Sequence, residues 1–126
     1  MDKKKLLIVD DAEIFITLIK ESFSGRYDIF SINDASLAVK QIKEIMPDIM
    51  LLDVNMPGIN GIEIAQILQR DMGTRGIPII VVTATDYNSL TESILRNEPN
   101  VRAFFSKLSP LDAVREKIDS ILDNRT

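Results

Sequence analysis

Apolar and polar positions in this chain follow two alternating patterns: short, nearly continuous apolar runs, and stretches where apolar residues recur every three or four positions. The first run, Leu6–Val9, stops at Asp10-Asp11, and Phe15, Leu18, Ile19 and Phe23 then recur at helical spacing as far as Gly25. The pattern predicts a strand and then a helix. Tyr27–Ile32 reads as a second strand. Asn33 or Asp34 caps the next helix, which carries Leu37, Ala38, Ile42 and Ile45 on one face and is closed by Pro47. Asp48–Leu52 is the third strand, followed by a loop over 53–60 that contains Pro57 and Gly58. Asn60-Gly61 is a hairpin dipeptide in other settings. Here helix formers follow it, so Asn60 reads as the N-cap of a helix from about Gly61 to Met72. Ile77–Val82 is the fourth strand, a helix spans about Asp86 to Asn97, and Val101–Phe105 is the fifth strand. The last helix opens with Ser109 as N-cap, Pro110 at its first position and Asp112 at its third, and buries Leu111, Val114, Ile118 and Ile121.

Five strand–helix repeats with near-continuous apolar strands imply an α/β fold. In this (βα)5 arrangement a doubly wound five-stranded parallel sheet has helices on both faces. The residues alone leave two strand orders open, the flavodoxin-like 2-1-3-4-5 and a Rossmann-like order. In both, ligands bind beyond the carboxyl ends of the strands.

At those ends stand Asp10 and Asp11 after strand 1, Asp53 and Asn55 after strand 3, Thr83 and Ala84 after strand 4, and Ser106 and Lys107 after strand 5. Each residue has a bland explanation: a helix cap, a turn, a solvated charge. Jointly they bring three carboxylates, a hydroxyl and an ammonium to one edge. Two carboxylates ~4 Å apart repel by about 4 kcal/mol at an effective dielectric of 20, so such a crevice calls for a cation. A site of oxygen ligands alone suits Mg²⁺, which keeps several of its waters. The metal and Lys107 would neutralise phosphoryl oxygens, and a carboxylate can act as nucleophile toward phosphorus.

Composition narrows the chemistry. The 126 residues fit one domain, with a core that should bury roughly two thirds of the unfolded surface. The chain has no cysteine and no histidine. That removes disulfides, thiolate or His-ligated metal sites, a Ser-His-Asp triad and any phosphohistidine of its own. A net charge of −4 argues against a nucleic-acid face. The apolar run after Lys3-Lys4-Lys5 is too short for a secretory core of roughly 7–15 residues. No run approaches the ~18 residues of a membrane span, and a cytoplasmic location is expected.

The motifs Leu-Ile-Val-Asp10-Asp11, Leu-Leu-Asp53-Val-Asn-Met-Pro-Gly-Ile-Asn-Gly-Ile-Glu63, Val-Val-Thr83-Ala-Thr85 and Phe104-Phe105-Ser-Lys107 resemble those of bacterial two-component response-regulator receiver domains. The likeness extends over essentially the whole chain, 1–126. It implies the 2-1-3-4-5 order and a chemotaxis-receiver-like phosphorylation switch. Asp53 would be the phosphoacceptor, and Asp10, Asp11, Asp53 and the backbone carbonyl of Asn55 the Mg²⁺ ligands. Thr83, Ala84 and Lys107 would bind phosphate, with Thr83 and Phe104 as the switch pair. Asn55 and Thr85 would flank the path of the water that removes the phosphoryl group and tune its rate. The donor would be a histidine kinase or a His-phosphotransfer protein. The output would be a downstream protein target reached through the fourth helix, fifth strand and fifth helix, without direct contact to nucleic acid or membrane. The chain would act as a monomer or a phosphorylation-linked dimer.

This sequence departs from the family pattern at several places. Leu108 replaces the proline that usually follows the lysine, so a trans or strained Lys107–Leu108 bond is expected. Asn60 replaces the commoner aspartate, and Leu95–Asn100 lacks the usual Gly-Ala. Ile16 stands where arginine is common. With Ile14 and Phe15 it makes an apolar surface from which two residues should enter the core and the third should meet a partner. Two other readings compete with the switch. A phosphatase with an aspartate nucleophile, like the haloacid dehalogenase class, would need a second aspartate where Asn55 stands, so no turnover of phosphate esters is expected. A pseudo-receiver would bind partners without cycling phosphate. A nucleotide site is unsupported, since no G-x-G-x-x-G or P-loop occurs.

Overall fold

Three strands exclude solvent almost completely, and their position in the sheet explains it. β1 (Lys5–Val9), β3 (Ile49–Leu52) and β4 (Ile79–Thr83) are buried apart from Lys5. They form the interior of a five-stranded parallel sheet of order β2-β1-β3-β4-β5. The expected 2-1-3-4-5 order is the observed one. β2 (Asp28–Ile32) and β5 (Val101–Ser106) are edge strands and stay partly open. Burial on both faces, expected of all five strands, therefore holds only for the inner three. The computed structural model describes residues 3–56, 61–84 and 89–123.

Strand alternation divides the core in two. Leu7, Val9, Met50, Leu52, Ile79 and Val81 face one layer, packed with Ala38 and Ile42 of α2 (Ala38–Ile45), Ile64, Ala65 and Leu68 of α3 (Gly61–Arg70) and Leu95 of α4 (Ser89–Arg96). Leu6, Ile8, Ile49, Leu51, Ile80 and Val82 face the other, against α1 (Glu13–Phe23) and α5 (Leu111–Asp123). Successive strand side chains point to opposite faces, so each inner strand feeds both layers. No helix of the described residues is long and apolar enough to cross a membrane.

Several local expectations shift. The second helix is preceded by a 3₁₀ turn, Ala35–Leu37, capped by Asp34, whose Oδ1 accepts from the Ser36 N–H and hydroxyl. Asn33 is not the cap. α3 ends at Arg70 rather than Met72, and α5 begins at Leu111, one residue after Pro110. Leu18 and Leu37, assigned by spacing to buried stripes, are each 45% exposed. On α1, Phe15 and Ile16 enter the core while Ile14 is 86% exposed. The residue left for a partner is therefore Ile14, and a charge at Ile16 would break the core instead of probing a surface. Asn60, Pro57, Gly58, Thr85 and the proposed start of the fourth helix at Asp86 lie outside the described residues.

α1 and α5 are tied at the far end of the sheet from the acidic residues. The Tyr27 hydroxyl donates to Asp119 on α5, and Arg26 pairs with the same carboxylate at 2.7 Å. Burial pushes the Tyr27 phenol up, and its bond to Asp119 adds to the effect.

Candidate functional site

The strand order reverses on either side of β1, and that creates the crevice. β2 pairs with one edge of β1 and β3 with the other, with Val9 opposite Leu52 in register. The chain continues from these partners into Asp10 and Asp53, so the two carboxylates emerge side by side at the same height. The backbone holds them there: Asp53 N–H donates to Val9 O at 2.9 Å, and Asp10 N–H to Ile32 O at 3.0 Å. β4 and β5 repeat the arrangement. Thr83 lies opposite Ser106, and Lys107 N–H donates to Thr83 O at 2.9 Å.

Asp10 does not cap α1. The position before that helix is Ala12, which makes no side-chain cap bond. Asp10 Oδ1 instead accepts the Ala12 N–H at 2.8 Å, a turn closed two residues on. This fixes the carboxylate toward the crevice. Asp10 is 1% exposed and Asp53 5%. Carboxylate oxygens of Asp10, Asp11 and Asp53 lie within 4.8 Å of one another, and Asp11 is exposed.

Lys107 bridges the two buried members. Its Nζ lies 3.0 Å from Asp10 Oδ2 and 3.3 Å from Asp53 Oδ2. Among the described residues no peptide bond is cis, so Lys107–Leu108 is trans, and the lysine nonetheless reaches both carboxylates. Leu108 itself is 85% exposed. The pairing is reflected in the acidities. Burial pushes the Asp10 carboxyl up and the charge of Asp53 adds to it, outweighing the Ala12 N–H and Lys107, which pull it down. Burial alone would lower the Lys107 ammonium, but Asp10 and Asp53 together hold it above its ordinary value. Lys107 is therefore a fixed positive charge at neutral pH.

Thr83 is fully buried, and its hydroxyl donates to Asp53 Oδ1 at 3.1 Å. Asn55 reaches the same pair twice. Its backbone N–H donates to Asp53 Oδ1 at 3.0 Å and its side-chain amide to Thr83 Oγ1 at 2.9 Å. Ala84 follows Thr83 at the open rim and is exposed. Phe104 is part-buried against the layer of α2, α3 and α4.

Two aromatic contacts escaped the sequence reading. The Lys107 ammonium lies 5.2 Å from the Phe15 ring centroid, and the Arg96 guanidinium lies 4.4 Å from that of Phe104. Both fall within cation–π range. Phe15 showed only helical spacing and Arg96 only a charge near a helix end. Each pair joins two different elements, α1 with the end of β5 and α4 with β5, and residue spacing carries no signal of a contact between elements.

The comparisons with known proteins agree with this geometry. The family model described as the response regulator receiver domain matches residues 6–119. The chain is 35% identical over 83 residues to the response regulator PleD of Caulobacter vibrioides, covering 65% of this chain and 18% of that protein. It is 34% identical over 83 residues to the DNA-binding response regulator MtrA of Mycolicibacterium smegmatis, covering 65% and 35%. The chain thus spans well under half the length of these relatives. Its fold is similar to that of a CheY-like receiver domain protein from Methanospirillum hungatei JF-1 (TM-score 0.86, 23% identity, 98% of this chain and 97% of that one). It is also similar to the signal receiver domain of a signal transduction histidine kinase from Syntrophus aciditrophicus (TM-score 0.85, 21% identity, 98% and 94%). With the sheet order, the acidic crevice and a family match over most of its length, the chain belongs to the receiver domains of two-component response regulators.

Proposed function

We propose that this chain takes a phosphoryl group from a phosphohistidine onto Asp53 and uses the acyl phosphate to control a protein partner. A carboxylate oxygen of Asp53 attacks phosphorus as the P–N bond breaks. The electron pair leaves with the imidazole nitrogen, which then gains a proton. Lys107 stands where it can follow the charge from the Asp53 carboxylate to the phosphoryl oxygens, and the Thr83 hydroxyl is placed to donate to one of them. The observation that carries the reading is the double bridge of Lys107 to Asp10 and Asp53, with Thr83 bonded to the same Asp53.

The donor set fits Mg²⁺. Three carboxylates converge, and the Lys107 ammonium, paired with Asp10 and Asp53, offsets the charge of one of them. Asp10, Asp11, Asp53 and the backbone carbonyl of Asn55 would hold the ion, which would supply charge neutralisation at the phosphoryl oxygens. Removal of the phosphoryl group by water would follow in the same crevice, with Asn55 beside it. The chain cycles a phosphoryl group on itself and does not turn over phosphate esters.

The test is NMR with Mg²⁺ and beryllofluoride. Resonances of Thr83 and Phe104 should shift only when both are present and Asp53 is intact. If they stay unmoved, the chain is an interaction module that does not cycle phosphate.

The exposed apolar residues of α1 suit the phosphodonor. Ile14 and Leu18 form a patch flanked by Glu13 and Glu21. A donor helix with apolar residues and a basic border matches this surface. Replacing Ile14 by Glu should slow transfer from the cognate phosphohistidine protein by at least ~10-fold more than it slows uptake from acetyl phosphate. Equal slowing of both, measured as rates of phosphoprotein formation, would place docking elsewhere.

A further inference from the structure

Thr83 and Asn55 form a hydrogen-bonded chain whose direction is fixed by chemistry. The Asp53 carboxylate can only accept, so the 3.1 Å contact uses the single proton of the Thr83 hydroxyl. The hydroxyl then offers only lone pairs to its other neighbour. The Asn55 side chain must therefore present its N–H2 end there, as it does at 2.9 Å. Asn55 also donates its backbone N–H to Asp53 Oδ1 at 3.0 Å, which closes a ring of three bonds linking Asp53, Thr83 and Asn55. Thr83 is 0% exposed, so a hydroxyl turned away from Asp53 would give up a buried hydrogen bond.

We infer that Asn55 is a positioning residue that sets the Thr83 rotamer before any phosphoryl group arrives. The inference rests on the proposed phosphoacceptor role of Asp53 for its purpose, but not for its test. With the amide as donor, Thr83 has one satisfied orientation, toward Asp53. The incoming phosphoryl group then meets a hydroxyl already aimed at it, and the proton moves only from one acceptor oxygen to the next.

The test measures the three-bond couplings from backbone 15N and 13C′ to the Thr83 γ-carbon, in the full chain without Mg²⁺ or phosphodonor. The native protein should show one rotamer. Asn55→Ala removes the donor, and Asn55→Asp replaces it with an acceptor on the same carbon skeleton. Both should give rotamer-averaged couplings. Single-rotamer couplings in both variants would overturn the inference, as would averaged couplings in the native chain. A second arm uses acetyl phosphate uptake. Asn55→Ala should change the rate by roughly two- to tenfold, the worth of one hydrogen bond. In a Thr83→Val background the change should vanish, and an equal change in both backgrounds would overturn the inference. Failure of the native chain to take up phosphate would instead count against the Asp53 reading and leave the coupling result standing.

Discussion

Asp53→Asn should take up no phosphoryl group from acetyl phosphate above background, while Lys107→Ala should take it up about 10²–10³-fold more slowly than the native chain. The asparagine has the shape of the aspartate and can accept the Thr83 hydroxyl. It lacks the anionic oxygen that must bond phosphorus. Its fold should persist, because the change removes the charge of one of two buried carboxylates that share Lys107. Lys107→Ala acts in the opposite direction on charge. It leaves Asp10 and Asp53 facing each other at 1% and 5% exposure with no cation between them. The Asp10 carboxyl, already pushed up by burial and by Asp53, should then rise further. Phosphoprotein formation followed over time separates the two variants. Uptake by Asp53→Asn at a measurable rate would remove Asp53 as the acceptor. Native rates in Lys107→Ala would show that the bridge is structural.

Gly61→Ala should destabilise the protein by about 1–3 kcal/mol although alanine is the better helix former. Gly61 is the first residue of α3. A Cβ there would lie 2.6 Å from Val54 Cγ1 and 2.7 Å from Val54 Cα. A rotamer change can move the first atom but not the second, since the Cα belongs to the backbone. Val54 is 5% exposed and follows Asp53 directly. The strain must therefore be relieved by shifting either α3 or the turn that carries the phosphoacceptor. A lower urea midpoint with unchanged slope, together with slower phosphoryl uptake, is the expected result. An unchanged midpoint would mean that the α3 start yields freely.

The alternation of apolar runs and helical spacing is written locally, and so were most elements and the core they build. Leu7 and Leu6 already belong to different layers once their strand is assigned, because neighbouring residues of a strand face opposite ways. The errors share one cause. Leu18 and Leu37 sit at helical spacing, yet stand 45% exposed. Whether a stripe is covered along its full width depends on where the next helix lies. Ile14 and Ile16 were interchangeable in sequence for the same reason, and only the packing of α1 put Ile16 inside.

The sequence by itself determined which residues reach the carboxyl edge of the sheet: Asp10 and Asp11 after β1, Asp53 after β3, Thr83 after β4 and Lys107 after β5. Strand ends are local features, and a parallel sheet puts them on one side. Tertiary structure alone decided how those residues meet. The Val9–Leu52 register set Asp10 beside Asp53, and the trans Lys107–Leu108 junction still brought the ammonium to both. Asn55, read from sequence as a metal ligand through its carbonyl, has a side chain that proved to hold Thr83. Distances of a few tenths of an ångström decide which donor meets which acceptor. They follow from the packing of whole elements, which residue spacing does not encode.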